Sequence, residues 1–243
     1  MKKAFTLVEL VFVVVVIGIL AFALWPAKQP IQALAAARQI VAHIRYTQHL
    51  ALNDDKFATH TDTGGTSSIA KDWYKRLWRI TFSNLTADKD CKIGGWRYAV
   101  YQNIAGDLSD KGQPNGTIEA ARNPAQAGKV LSACYSGLST NTSDELNLSQ
   151  TYKIENIDFS EFATDSRIQG IIFDELGRAY PSGDFSQAYN NGKKFKLGDN
   201  NSYGRITLSA KDGSEAKILV FAETGYACVE NVDLGCEAPA TNP

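Results

Sequence analysis

An apolar run from Phe5 to Trp25 constrains this chain more than any other stretch. It contains one charged residue, Glu9, and Pro26 follows it. As an α-helix the run would extend about 31 Å, which is roughly the thickness of a bilayer core. Lys2 and Lys3 precede it, and positive charge favours the cytoplasmic side of a membrane. The sequence therefore predicts one membrane pass, a cytoplasmic N-terminus and a chain that lies outside the cytoplasmic membrane after Pro26.

Two simpler explanations of the run fit less well. A secretory signal peptide has a shorter apolar stretch, followed by small residues at its cleavage site. Here the small-to-bulky pair Ala4–Phe5 precedes the apolar run instead. A plain membrane anchor leaves Glu9 unexplained, because a carboxylate costs about 2.5–3.5 kcal/mol near the centre of a span and less near its end. Intramembrane charges usually have a partner and a functional role.

The segment KAFTLVEL at residues 3–10, followed by its β-branched run, resembles the class III signal of type IV pilins and pseudopilins. That pattern is Gly, then Phe-Thr-Leu-x-Glu. The resemblance implies that prepilin peptidase cleaves between Ala4 and Phe5 and that Phe5 is then N-methylated. It also implies that Glu9 is required for assembly and that Pro26 kinks the helix. Ala4 replaces the usual Gly, and its small size should still permit cleavage.

The charges at this site suggest how such a segment would assemble. Cleavage would leave a positive amine on Phe5 at the membrane. A carboxylate paired with an amine avoids the cost of burying either charge alone. Glu9 cannot easily reach the amine of its own chain, so we expect the amine of a neighbouring protomer to be its partner. The alternative is that Glu9 extends to the membrane interface.

A second helical pattern begins at Ile31 and continues to a polar stop at residues 53–55. Its predicted apolar stripe comprises Leu34, Ala37, Val41, Ile44 and Ala51. We therefore expect one long helix from Phe5 to about Asn53. The predicted organisation is a leader peptide at 1–4, a transmembrane and assembly helix at 5–25, its amphipathic continuation at 26–54 and a β-rich globular domain at 55–243.

Alternating apolar residues and glycine-containing turns dominate the remainder of the chain. A turn at residues 211–213 predicts a hairpin, and the polar stretches 103–128 and 136–151 are predicted loops. The predicted strands are Leu77–Ser83, Gly95–Gln102, Lys129–Tyr135, Gly170–Asp174, Arg178–Tyr180, Tyr203–Ala210, Ala216–Glu223 and Tyr226–Val229. The fold class is therefore α+β, in which a long N-terminal membrane-spanning helix continues into a pilin-like domain with antiparallel sheets.

The segments GIIFDELGRAY at 170–180 and RITLSAKDGSEAKILVFAETGYACV at 205–229 are similar to H-type minor pseudopilins of type II secretion and to FimT-like minor pilins. Some FimT-like proteins bind DNA through a basic element after the terminal Thr-Gly. Here that position is Tyr226, and the tail beyond it is acidic, so we expect no DNA binding by that route. A composite patch of Arg76, Arg79 and Arg97 is the alternative, although such residues are more often a solvated face.

Four cysteines allow three disulfide pairings. We favour Cys228–Cys236, which closes a short loop, and Cys91–Cys134, which closes a longer one; crossed pairing stays open. Disulfides are compatible with a domain outside the cytoplasm. The spacing contains no C-x-x-C pair and no nearby histidine, so we expect no zinc or other metal site.

Nothing in the sequence predicts an enzyme or a cofactor. Catalytic and phosphate-binding motifs are absent, and the net charge of −1 is unlike that of proteins that neutralise nucleic-acid phosphates. The stretch ELNLS at 145–149 resembles a bacterial N-glycosylation sequon.

The expected function is a structural minor pseudopilin or pilin of the bacterial inner membrane, with a periplasmic globular domain, that supports protein secretion. Its expected partners are prepilin peptidase, other pilin subunits, the inner-membrane assembly platform and membrane lipid. The alternative is a pilus for DNA uptake or adhesion whose globular domain binds a ligand.

Overall fold

The computed structural model describes residues 7–23, 31–54, 76–87, 94–102, 114, 118–134, 141–159, 168–182 and 203–238. The chain forms two compact units, Met1–Ile31 and Gln32–Pro243. The described part of the first unit is helix α1, Leu7–Ala23. Within the described ranges, no helix combines the length and the apolar character needed to cross a bilayer.

Helix α2 spans Gln32–Asn53 and forms the spine of the second unit. It ends where predicted, and the Asn53 side chain there donates to the carbonyl of His49 at 2.7 Å. Its buried stripe is wider than predicted, and Leu34 lies at its edge, half-buried. The buried residues are Ala33, Ala36, Ala37, Ile40, Val41, Ile44, Thr47 and Ala51. The stripe is wide because α2 packs against two sheets.

The N-terminus of α2 is capped by a turn that is far away in the sequence, at residues 211–214. The backbone N–H of Ala33 donates to Ser214 Oγ at 3.2 Å, and that of Gln32 to Asp212 Oδ2 at 3.5 Å. The first N–H groups of a helix have no intrahelical acceptor, so side-chain oxygens stabilise its start. The hairpin turn at 211–214 therefore determines where α2 begins.

Two antiparallel four-stranded sheets make up the β region. The first has the order β2-β1-β4-β5 and the second the order β3-β6-β7-β8. Their strands are β1 Trp78–Leu85, β2 Gly95–Gln102, β3 Ile154–Asp158, β4 Ile168–Phe173, β5 Ala179–Ser182, β6 Tyr203–Ala210, β7 Glu215–Phe221 and β8 Ala227–Val229. A single turn of 3₁₀-helix at Asp144–Leu146 and the short helix α3, Leu148–Thr151, precede β3.

Most predicted strands are confirmed. The bounds of β2 and β6 agree with the prediction, and the other predicted strands that form are displaced at their ends. Lys129–Tyr135 is wrong over its described part, because Val130 and Ser132 form only isolated bridges. The sequence did not predict β3 or α3.

One hydrophobic core joins α2 to the inner faces of both sheets. Ile40 and Ile44 of the helix share it with Phe82 of the first sheet and Ile206 and Ile218 of the second. The outer face of the second sheet is covered by the C-terminal segment, where Cys236 packs on Tyr203, Leu219 and Cys228. The outer face of the first sheet is polar and also buried, as Arg79, Thr81 and Ser83 show.

Candidate assembly segment and polar contacts of the globular unit

Helix α1 presents apolar side chains that its own chain leaves exposed. Leu7 is 79% exposed, Phe12 69% and Ile17 59%. Soluble monomers rarely expose apolar surface of this extent, so such a surface marks contact with lipid or with other proteins. The helix is apolar around its circumference rather than along one stripe, which is typical of a helix surrounded by apolar neighbours.

Glu9 is the acidic residue in the first turn of α1, and it is exposed among these apolar side chains. A carboxylate is favourable near a helix N-terminus, where the backbone dipole is positive. The other predicted processing and kink residues, Ala4, Phe5 and Pro26, lie outside the described residues. The long continuous helix predicted from Phe5 to Asn53 also depends on residues in that undescribed part.

Gln48 of α2 connects the two turns that carry the minor-pilin resemblance. Its side-chain amide donates to the carbonyl of Gly177 at 2.9 Å and to that of Thr224 at 2.6 Å. Gly177 follows β4 and Thr224 follows β7, so the GIIFDELGRAY and Thr-Gly segments meet at one end of the helix. Nothing in the sequence predicted this contact.

Asp174 organises the first of these turns. Its side chain is fully buried, and Oδ1 accepts hydrogen bonds from the backbone N–H groups of Leu176 and Arg178. Its Oδ2 accepts from Arg178 Nε at 2.7 Å and from the Tyr180 hydroxyl at 3.3 Å. A buried carboxylate is tolerated when its lone pairs are satisfied in this way.

Tyr226 occupies the position where the resemblance predicts a basic residue, and a guanidinium from α2 lies beside it. Arg45 Nε donates to the carbonyl of Ala227 at 3.0 Å. Its guanidinium carbon is 5.1 Å from the centre of the Tyr226 ring, a cation–π distance. Arg45 thus fixes the start of β8 against α2.

A partly buried polar network joins α2 to β2 and to the end of α3. The Tyr98 hydroxyl is 2.7 Å from His43 Nδ1 and 2.8 Å from Gln39 Nε2, and Tyr152 donates to Gln39 Oε1. Burial lowers the pKa of His43, and the nearby Glu145 carboxylate opposes that shift. Burial raises the pKa of Tyr98 and also that of Tyr152. The network is therefore built for neutral groups.

The expected solvated face of Arg76, Arg79 and Arg97 is wrong. Arg79 is 0% exposed and Arg97 is 3% exposed, because the outer face of the first sheet is covered. Within the described part of the chain, no guanidinium nitrogen of Arg79 makes a hydrogen bond. Its guanidinium carbon lies 5.7 Å from the centre of the Tyr101 ring. These residues do not form an exposed basic patch.

The predicted Cys228–Cys236 disulfide is confirmed. Cys134 is also disulfide-bonded, whereas its predicted partner, Cys91, lies outside the described residues. Among the residues that the structure describes, no three His, Cys, Asp or Glu side chains come together as metal ligands.

Arg205 and Glu230 form a bidentate ion pair, at 3.1 and 3.0 Å, between β6 and the start of the loop that the Cys228–Cys236 disulfide closes.

The residue that would carry a glycan in the ELNLS stretch is not accessible. Asn147 is 5% exposed, and its side chain accepts a hydrogen bond from the Gln150 N–H at 3.0 Å as the N-cap of α3. The asparagine is therefore part of the folded structure, and the resemblance to a sequon does not correspond to a surface site.

The N-terminal apolar segment and its carboxylate are typical of subunits that assemble through their first helix. The comparison with protein families agrees: residues 1–25 match the model of the prokaryotic N-terminal methylation motif. This motif indicates a pilin- or pseudopilin-type subunit. No curated protein and no solved structure matches the chain.

Proposed function

We propose that the chain is a structural minor pilin or pseudopilin that enters a type II secretion pseudopilus or type IV pilus through α1 and supports protein secretion. The observation that carries this proposal is the methylation motif at residues 1–25 on a helix whose apolar side chains are exposed. A globular unit with a capped helix and two antiparallel sheets would then be carried on the outside of the filament.

In this proposal the precursor is first anchored in the bacterial inner membrane, with its N-terminus in the cytoplasm and its globular unit in the periplasm. Prepilin peptidase cleaves between Ala4 and Phe5, and Phe5 becomes the N-methylated first residue. The assembly platform then transfers the subunit from lipid to a bundle of other pilin helices. Lipid and apolar helices offer similar surroundings to aliphatic side chains, so packing and polar contacts decide this transfer.

Glu9 supplies the polar contact. Its carboxylate would pair with the Phe5 amine of a neighbouring subunit, offset along the filament. An ion pair inside an apolar bundle is favourable only when both charges are present, because either charge alone costs several kcal/mol, roughly 3–5. The carboxylate therefore selects a neighbour in the correct axial register.

The processing step is tested by mass spectrometry of the N-terminal peptide of the mature protein. We expect the peptide to begin with N-methylated Phe5, and Ala4→Gly should give the same peptide. A mature chain that begins at any other residue, or that retains Met1, would remove the main support for the proposal.

The assembly step is tested with Glu9→Ala in cells that express the whole assembly machinery. We expect normal cleavage but loss of the subunit from sheared filaments, because the neighbour's amine would lack its partner. Val13→Ala, one helical turn away, is the matched control and should assemble normally. Incorporation of Glu9→Ala at the wild-type level would contradict the charge-pairing account.

A further inference from the structure

An open cavity of about 500 Å³ lies between the end of the first sheet and β3. Asn84 and Trp96 line it from the first sheet, and Lys153 and Glu155 line it from the β3 side, together with Lys211 of the β6–β7 turn. Its volume is in the range of small-molecule binding sites. Nothing in the proposed assembly mechanism uses these residues.

The aromatic wall of this cavity is fixed in place. Trp96 donates its backbone N–H to Ser149 Oγ at 2.9 Å and its indole N–H to the carbonyl of Glu155 at 3.2 Å. Gly95 beside it has φ +106°, and a Cβ there would lie 2.7 Å from Ser149 Cβ. The hydrogen bond of its N–H therefore holds the indole ring against β3, and the chain next to it has room only for glycine.

The opposite side of the cavity, which we call the basic wall, carries Lys153 and Lys211 and has an unusual backbone conformation at Lys153. Lys153 has φ 54°, a left-handed conformation that is uncommon for residues other than glycine. Among the described non-glycine residues only Asn231 shares this sign of φ, and asparagine tolerates it well. Strained conformations persist where the surroundings impose them, and they cluster at functional sites.

Two contacts hold the lysines together on this wall. The backbone N–H of Lys211 donates to the carbonyl of Lys153 at 2.9 Å. The Lys153 ammonium donates to the carbonyl of Gln150 at 2.8 Å, near the end of α3. The two lysines therefore lie next to each other on the rim, and the Lys153 side chain is held near the end of α3.

The charges at the cavity favour an anion. Two of the residues that line the cavity, Lys153 and Lys211, are basic, and one, Glu155, is acidic. The neighbouring Asp212 is engaged elsewhere, because its carboxylate accepts hydrogen bonds from Ser214 and from the N-terminus of α2. Two lysines therefore act against a single opposing charge within the cavity.

We propose that this cavity binds an anionic sugar, through stacking on Trp96 and pairing of its phosphate or carboxylate with Lys153 and Lys211. The exposed amide of Asn84 would bind hydroxyl groups of the ring. Aromatic side chains and a few placed polar groups are both found in specific small-molecule sites. This inference goes beyond the proposed assembly function and does not depend on it.

The test uses the full-length chain in a polyoxyethylene detergent, which carries no sugar head group. Binding of glucose 6-phosphate, glucuronate, glucose and inorganic phosphate is measured by isothermal calorimetry. We expect glucose 6-phosphate and glucuronate to bind more tightly than glucose or phosphate, because only they engage both walls.

Substitutions in the lining residues test which charges of the cavity contribute to the affinity. Lys153→Asn keeps a residue that tolerates the left-handed backbone but removes the ammonium, and combined with Lys211→Gln it should weaken binding at least roughly ten-fold. Glu155→Gln removes the opposing charge and should tighten binding about two- to five-fold. Lys217→Gln, on an exposed lysine of β7 outside the cavity, should leave the affinity unchanged.

Several results would overturn the proposal. These are equal affinity for glucose and glucose 6-phosphate, no heat with any anionic sugar at millimolar concentration, and wild-type affinity in the double lysine variant. Circular dichroism of each variant shows whether the fold is retained. A lysine variant that loses its fold is replaced by Trp96→Phe, which keeps a ring and should weaken sugar binding without abolishing it.

Discussion

A Cβ atom on Gly225 would lie only 2.1 Å from the carbonyl oxygen of Gly177. The two glycines belong to the turns that follow β7 and β4, and both have left-handed backbones, with φ +62° and +75°. The Gln48 side chain bridges the same turns through the carbonyls of Gly177 and Thr224. The end of α2 is therefore held by a contact between two turns that only glycine permits.

Gly225→Ala should lower the free energy of unfolding by roughly 3–4 kcal/mol, from left-handed strain and from the contact with Gly177. The measurement is urea unfolding of the full-length chain in detergent. Gly213→Ala is the matched control, because Gly213 has φ +78° but open space around its Cβ position. It should cost only about 1–2 kcal/mol. Equal losses would show that the turn–turn contact adds nothing.

The elements that sequence patterns predicted well are those whose signal is local. The stop of α2 at Asn53 and the bounds of β2 and β6 follow from helical periodicity and from alternation. The Gln48 contacts could not be predicted in the same way. They join residues far apart in the sequence, and a glutamine on a polar helix face gives no local indication of its acceptors.

Two of the errors in the sequence-based predictions, the missed strand β3 and the exposure of Arg79, have a clear physical reason. Strand β3 carries Glu155, Asn156 and Asp158, residue types with little preference for strands, and its pairing with β6 overrides that preference. Arg79 of β1 was predicted to be solvated because basic residues on strands are more often exposed, yet it is fully buried. Alternation identifies opposite faces of a sheet, but it does not tell whether the polar face is covered.

The His43–Tyr98 contact predicts a pH dependence near neutrality. Burial lowers the pKa of His43 in the folded chain, so the unfolded chain binds a proton more readily. Stability should be constant above about pH 7 and should fall as the pH drops through about 6.5, the ordinary histidine pKa. The measurement is the unfolding free energy from about pH 7.5 to 5.5, above the range in which most carboxylates titrate.

His43→Asn tests the assignment, because asparagine retains an acceptor for the Tyr98 hydroxyl and does not titrate. We expect its stability to vary less with pH in this window than that of the wild type. His49→Asn, on an exposed histidine of the same helix, should keep the wild-type slope. A slope that is unchanged in His43→Asn would assign the effect to another group.

The Cys228–Cys236 disulfide should contribute measurably to the free energy of unfolding, although the loop that it closes is short. The two residues are 8 apart in sequence, and chain-entropy estimates for a loop of this size give about 2.5 kcal/mol. The double variant Cys228→Ala/Cys236→Ala should lose that amount in urea unfolding. Its Trp fluorescence and circular dichroism should remain native, because the core on α2 lies on the other face of the sheet. An unchanged unfolding midpoint would contradict the estimate.

The buried guanidinium of Arg79 gives the least conventional prediction. A buried charge without hydrogen bonds costs free energy, and replacing such a group by an apolar one of similar volume is often neutral or stabilising. Arg79→Met should therefore leave the unfolding free energy unchanged or raise it by about 1–4 kcal/mol.

Arg178→Met is the opposite case, because its guanidinium binds the fully buried Asp174 carboxylate at 2.7 Å. Loss of that partner should cost about 1–3 kcal/mol, since the carboxylate stays buried with fewer donors. Both variants are measured in the same urea titration of the full-length chain. A large loss of unfolding free energy in Arg79→Met would mean that the charge of Arg79 is compensated in the native chain. The outer face of the first sheet would then depend on its arginines instead of merely tolerating them.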